Sequence, residues 1–228
     1  MGRFRNHPKF DGIFLLDHGQ QIYTKNLDKG NLVYDEKVIL DNDIEYREWN
    51  PYRSKLGATI VKKIRNIYFT DKSRCLYLGA SSGTTVSHLS DMLSNGIIYA
   101  IEFSPRSLRE LIQNCETREN VIPIIGDANQ PQKYAKYIFG TIDIIYQDVS
   151  QPNQSEIAIN NAQKFLKNGG ILIITIKARS INVAEKPENI FIKELEILRK
   201  ADFEILEKMD ISPYTKDHLV VIARYFGN

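Results

Sequence analysis

Five apolar runs, at residues 74–80, 97–103, 121–127, 141–148 and 170–177, recur through most of the chain, each about as long as a buried parallel strand. Between or after them lie stretches with helical character, near 84–94, 105–116, 131–138, 153–167 and 188–201. Strands that alternate with helices in this way predict a doubly wound α/β sheet. The chain closes differently. "FEILEKMDI" and "HLVVIARYF" are separated by only six residues, 212–217. No crossover helix fits there, so the last strand should run antiparallel to its neighbour.

Residues 1 to about 50 show another pattern. "GIFLLD", "QQIYTKNL" and "NLVYDEKVIL" read as short strands of a small β-meander, separated by glycine and Asp/Asn turns. "SKLGATIVKKIRNIYF" then has helical spacing in Leu56, Ile60, Ile64 and Ile67, with Ser54 placed to cap it. The expected division is a β-rich unit over 1–53 and an α/β domain over 54–228.

In an open α/β sheet, ligands sit outside the carboxyl ends of the parallel strands. The first strand ends at Gly79 and leads to Thr84 and Thr85. The next four end in Glu102 and Phe103, in Asp127 and Ala128, in Asp148, and in Lys177. Buried charges are costly unless they bind something, so three acids and a lysine at this edge point to a ligand. Glu102 lies 23 residues after Gly79, close to the offset of about 20 for an acid that takes ribose hydroxyls. Phe103 offers a flat apolar face to a purine. Asp127 can accept from an exocyclic amine, and the Ala128 amide can donate to a ring nitrogen. The ligand so described is an adenosine. The turn Gly79-x-x-x-Gly83 is not the G-x-G-x-x-G that holds a dinucleotide pyrophosphate. A sulfonium would instead welcome the Asp148 carboxylate, so S-adenosylmethionine suits this edge better than NAD.

If the strands that end at Asp148 and Lys177 are neighbours, those ends lie about 4.8 Å apart. Lys55 reads either as a third member of this group or as a solvated helix residue. His218 reads either as a site residue or as a plain strand-edge histidine. Two lysines that share one acid disfavour each other's charge, which would suit one of them to act as a base toward a sugar hydroxyl. His7, His18 and His88 have no suggestive partner.

Composition narrows the field. The formal net charge of +2 does not argue for nucleic acid by itself. Cys75 and Cys115 have no metal or redox spacing and read as reduced core thiols. No metal site is expected. There is no apolar run long enough to span a membrane, and the polar opening "MGRFRNHPKFDG" lacks the apolar core of a signal peptide.

The stretches "VYDEKVI", "EYREWNPYRSKLGA", "LYLGASSGTT", "YAIEFSPRSLREL", "IIGDANQPQKYA", "YQDVSQPNQ", "IKARSI" and "KDHLVV" resemble the archaeal fibrillarin-like rRNA/tRNA 2′-O-methyltransferases over nearly the whole chain. The resemblance implies the S-adenosyl-L-methionine-dependent methyltransferase sheet, of strand order 3-2-1-4-5-7-6, with a small N-terminal β domain. It implies cofactor contacts at Gly79, Ala80, Thr84, Thr85, Glu102, Phe103, Asp127, Ala128, Asp148, Val149, Ser150 and Gln151. It also implies a catalytic group of Lys55, Asp148, Lys177 and His218. The implied setting is a box C/D ribonucleoprotein in the archaeal cytoplasm, with a guide RNA, a target RNA, a Nop-type scaffold protein and a kink-turn-binding protein. Two segments depart mildly from the family, the "SSG" turn and "QDVSQ". The scaffold surface is expected on the aromatic-rich N-terminal strands and on helices facing away from the cofactor edge. The alternatives are a nicotinamide-dependent oxidoreductase and a silent methyltransferase fold kept as an RNA- or scaffold-binding module. Intact Lys55, Asp148 and Lys177 speak against the latter.

Overall fold

The computed structural model describes residues 3–16 and 20–227, so Asp17 and His18 lie outside the described residues. The N-terminal sheet contains β1 (Phe4–Asn6), β2 (Ile13–Leu16), β3 (Ile22–Lys25), β4 (Val38–Asp41) and β5 (Ile44–Glu48), in the order β1-β2-β3-β5-β4. This is not the three-stranded meander expected from sequence. In the third expected strand only Val38–Asp41 pairs, because the Glu36 carboxylate accepts from the backbone amides of Val33 and Tyr34 and turns the chain there. Strand β5 was not anticipated, and it inserts beside β3.

Helix α1 (Lys55–Val61) starts where Ser54 caps it by accepting from the Gly57 amide. It is shorter than the apolar spacing suggested. Lys63 takes a positive φ of 65° and ends the helical path, while Ile64 and Ile67 are still buried. The remaining elements follow as β6 (Arg74–Leu78), α2 (Thr84–Met92), β7 (Ile97–Glu102), α3 (Pro105–Asn114), β8 (Val121–Ile125), α4 (Pro131–Tyr134), β9 (Ile142–Gln147), α5 (Gln154–Phe165), β10 (Leu166–Lys177), α6 (Ala178–Ile181), α7 (Pro187–Lys200), β11 (Phe203–Asp210) and β12 (His218–Tyr225).

Seven of these strands form one sheet of order β11-β12-β10-β9-β6-β7-β8. The strands β8, β7, β6, β9 and β10 are parallel, and β12 is antiparallel to both its neighbours. This is the 3-2-1-4-5-7-6 order, with the short link giving the reversed final strand. Each face carries its own apolar layer. Leu76, Ile145 and Leu172 pack with Ile157 of α5 and Leu195 of α7. On the other face Cys75, Ile144 and Ile173 join Val86 and Leu89 of α2, and this layer continues into Ile13, Ile22 and Trp49 of the N-terminal segment.

A buried polar network joins that segment to α2. Arg47 pairs with Glu36 at 2.6 Å and with Asp91 at 3.0 Å, while Arg118 reaches the other Asp91 oxygen at 2.6 Å. These charged side chains are almost fully buried. Removing one member of such a group costs about 3–5 kcal/mol, because it strands a buried charge. Tyr23, Tyr34, Tyr46 and Trp49 are also buried and serve packing, whereas Tyr52 of the same segment is exposed.

His88 does have partners, contrary to its sequence reading. The Thr24 hydroxyl donates to Asp91 and can therefore accept from His88 Nδ1 at 2.7 Å, and Tyr34 Oη lies 2.5 Å from Nε2. Trp49 stacks on the ring at 4.9 Å. Burial, reinforced by Arg47 and Arg118, holds the His88 pKa well below its ordinary value. The unfolded chain therefore binds this proton first. Stability is intact above pH ~6.5 and falls below it, by up to about 1.4 kcal/mol per pH unit. Denaturant titrations between pH 7 and 5 should show a flatter slope for His88→Gln than for the unaltered chain.

Candidate active site

The site lies at the carboxyl edge of the parallel strands, where the chain leaves β6. Gly79 has φ 82°, and a Cβ there would meet the Asp148 carbonyl oxygen at 2.9 Å. Only glycine lets the β6 turn approach the end of β9 so closely. The Asp148 amide then donates to the Leu78 carbonyl at 2.9 Å, tying the two strand ends together.

Asp148 stands between two lysines. Lys177 Nζ is 2.8 Å from Oδ1, and Lys55 Nζ is 2.9 Å from Oδ2. Lys177 comes from the adjacent parallel strand, as the strand-end argument expected. Lys55 comes from α1, whose cap residue Ser54 also meets the Thr85 hydroxyl at 2.9 Å. Each Asp148 oxygen thus faces a lysine, Oδ2 in a hydrogen bond and Oδ1 as an ion-pair contact alone. Lys177 is 9% exposed. Its pKa is lowered by burial and by the charge of Lys55, although Asp148 pulls the other way.

His218 pairs with Lys177 across the antiparallel ladder. Its Nδ1 donates to the Lys216 carbonyl at 2.6 Å and not to the lysine–aspartate group. Burial, helped by Lys55 and Lys177, lowers its pKa against the opposing pull of that carbonyl.

A cavity of about 470 Å³ opens beside this group. Lys55, Asp148 and Lys177 line one end, with Val149, Ser150 and Gln151 next to them, and Gly79, Glu102, Phe103 and Ala128 complete much of the wall. The Glu102 carboxylate accepts from the Ser81 amide at 2.7 Å and the Ser104 amide at 2.8 Å, one on each oxygen. Each oxygen keeps a second lone pair. The acid is therefore fixed in position yet still able to accept from a vicinal diol. Phe103 is 68% exposed at the wall, an uncovered ring beside that acid.

Ala80, Thr84, Thr85 and Asp127 do not line the cavity. Thr85 is buried against Ser54. Asp127 accepts from the Asn129 amide at 2.9 Å and from the Gln130 and Gln151 side chains, each at 3.2 Å. Burial alone would raise its pKa, but these donors outweigh burial and lower it. Its geometry is that of a brace for the Gln151 segment. Sequence reasoning missed Ser81, Ile101 and Gly126, which do line the cavity. Gly126 was the findable one, since it immediately precedes the strand-end acid.

The sheet order and the edge where these groups collect define a methyltransferase fold of the kind that binds S-adenosylmethionine. Comparison with known proteins sharpens this. The fibrillarin family profile matches residues 4–227. A relative from Methanocaldococcus jannaschii, named fibrillarin-like rRNA/tRNA 2′-O-methyltransferase, is 50% identical over 221 residues, spanning 96% of both chains. Among solved structures, Aeropyrum pernix fibrillarin with natively bound S-adenosyl-L-methionine superposes with a TM-score of 0.89 at 39% identity, covering 96% of this chain and 97% of that one. A fibrillarin from a fibrillarin/Nop5p complex gives 0.87 at 42%, covering 95% and 99%. The chain belongs to the fibrillarin family.

The charge pattern makes a test possible without any ligand. Lys55→Met removes a like charge from Lys177 and leaves Asp148 to a single lysine. Both changes favour the ammonium form. The pH midpoint for acetylation of Lys177 by acetic anhydride, followed by mass spectrometry, should move upward. An unmoved midpoint would mean that Lys177 does not feel Lys55.

Proposed function

We propose that this chain transfers a methyl group from S-adenosyl-L-methionine to ribose 2′-hydroxyls of ribosomal and transfer RNA. The observation that carries the reading is the Lys55–Asp148–Lys177 group at the end of a cavity whose wall holds a braced, still-accepting carboxylate. Glu102 would hold the cofactor ribose, Phe103 would cover the adenine, and the backbone near Ala128 would meet its edge. Thr84, Thr85 and Asp127 would support these walls from behind.

When bound, the cofactor supplies an electrophilic methyl group. The chain's own residues position and deprotonate the acceptor. Lys177, depleted in proton affinity by burial and by Lys55, takes the hydroxyl proton at Nζ. Asp148 keeps both lysines in place. His218 holds the backbone turn at Lys216 beside this edge.

We further assign the chain to a box C/D ribonucleoprotein of the archaeal cytoplasm. There a guide RNA would select the target by base pairing, a Nop-type scaffold would hold this protein, and a kink-turn-binding protein would complete the particle. Delegating sequence choice to RNA pairing accords with a net charge of only +2. Residues 1–53 are assigned as the accessory β unit and 54–228 as the methyltransferase domain, the boundary lying between β5 and the capped start of α1.

Methylation in the reconstituted particle, with and without a matched guide, tests the whole reading. Guide-dependent transfer is expected, whereas an assembled but inert particle would leave only the binding-module alternative. Two substitutions test its parts. Glu102→Ala should weaken S-adenosylmethionine binding by about 1.5–3 kcal/mol in calorimetry, through loss of charge-assisted hydrogen bonds; unchanged affinity would remove the ribose assignment. Lys177→Arg keeps the charge but cannot yield its proton. Single-turnover methylation should drop by at least ~10²-fold, the scale of a lost general base. A near-normal rate would leave Lys177 an electrostatic role only.

A further inference from the structure

Three oxygens surround the Lys177 nitrogen: Asp148 Oδ1 at 2.8 Å, the Asp148 carbonyl at 2.9 Å and Ser150 Oγ at 3.0 Å. An ammonium has three N–H donors: the carbonyl and Ser150 take two of them as hydrogen bonds, and Asp148 Oδ1 faces the nitrogen as an ion pair without accepting one. A neutral amine has two donors and one lone pair. The carboxylate and carbonyl oxygens only accept, so neither can face that lone pair favourably. A serine hydroxyl can do both, accepting from the ammonium and donating to the amine. Ser150 is therefore the one member of the set that suits both protonation states.

Its placement agrees. Ser150 is exposed and lines the cavity, while Lys177 is nearly buried behind it. The segment that carries Ser150 is fixed at both ends. Asp148 is bonded to Leu78, and Gln151 donates to Asp127 at 3.2 Å. The hydroxyl is thus held at the boundary between Lys177 and the space where an RNA hydroxyl would enter.

We propose that Ser150 is a positioning residue that keeps the Lys177 nitrogen aimed at the cavity in both its ammonium and its amine form. This rests on the reading of Lys177 as the base. In the amine state the Ser150 O–H points at the nitrogen lone pair, and an arriving ribose hydroxyl displaces it. The ribose O–H bond then breaks, its electron pair stays on the ribose oxygen, and an N–H bond forms on Lys177. Ser150 reverses to accept from the new ammonium, which later releases its proton to solvent. The charged and titratable groups that face Lys177 are Asp148 at the end of β9, Lys55 from α1 and His218 from β12. Tyr77 and Tyr146 beneath them are kept neutral by burial.

The test uses the full chain and two substitutions, Ser150→Ala and Ser150→Thr. In the protein alone, the pH midpoint for Lys177 acetylation by acetic anhydride is read by mass spectrometry. The ammonium loses a charge-assisted bond and the amine only a neutral one, so alanine should lower the midpoint by about half to one pH unit. Threonine, which keeps the hydroxyl, should restore it. In the reconstituted particle, the pH profile of single-turnover methylation should shift in the same direction for alanine and return with threonine. An unmoved acetylation midpoint in Ser150→Ala overturns the proposal, as does a loss of rate that threonine fails to rescue. Failure of the base reading looks different: Lys177→Arg would stay active while the alanine midpoint still moves.

Discussion

The arginine clamp between Glu36 and Asp91 is the interaction on which the placement of everything else depends. Arg47 lies on β5, its partners lie on a loop of the N-terminal sheet and on α2, and Arg118 closes the group from behind. Buried ion pairs add little net stability over apolar packing, but they tolerate only one arrangement, since any slip strands a charge. The clamp therefore sets the orientation of the small sheet on the large one. Trp49, one residue beyond β5, is set with it and stacks on His88. The indole lies so close to Gly57 that a Cβ there would sit 3.0 Å away. Through this contact the clamp locates the first turn of α1, and with it Lys55.

The site is consequently assembled from segments far apart in sequence around a single carboxylate. One lysine arrives on a short helix steered by the N-terminal segment, and the other ends an interior strand of the sheet. Asp148 can answer both because Gly79 lets the neighbouring turn close over its backbone. The result is a cluster with more positive than negative charge at one end of the cavity and a single braced acid, Glu102, farther along it. This division separates a region suited to handling a proton from one suited to gripping a sugar.

Much of this was readable in the chain because it is local. Each parallel strand is a continuous apolar run, and the residue that ends the run must sit at the ligand edge, which located Glu102, Asp148 and Lys177 without coordinates. What could not be read is non-local. Strand β5, "IEYRE", mixes charge with aromatics because Arg47 is buried against acids from elsewhere, so its pattern resembles a surface loop. His88 looked idle for the same reason, its partners lying 54 and 64 residues away. Ile64 and Ile67 kept a helical period although the helix had ended, since the core needs their side chains whatever the backbone does. Asp127 ends its strand as Glu102 does, but the side-chain amides of Asn129, Gln130 and Gln151 that bond it come from loops the strand pattern does not reveal.

The position of β12 has a consequence for how the protein is made. This strand follows β11 in the chain, yet it sits between β10 and β11 in the sheet and contributes His218 opposite Lys177. As the polypeptide emerges from the ribosome, β10 can pair with β9 early, but its other edge stays open through the synthesis of α7 and β11. Strand β11 has no place in the sheet until β12 arrives to bridge it. A chain interrupted before His218 would therefore expose the backbone edge beside Lys177. The end of β10 that carries Lys177 gains its second neighbour only when β12 is made, so a copy broken off before that strand carries an unpaired edge for proteases and chaperones to recognise.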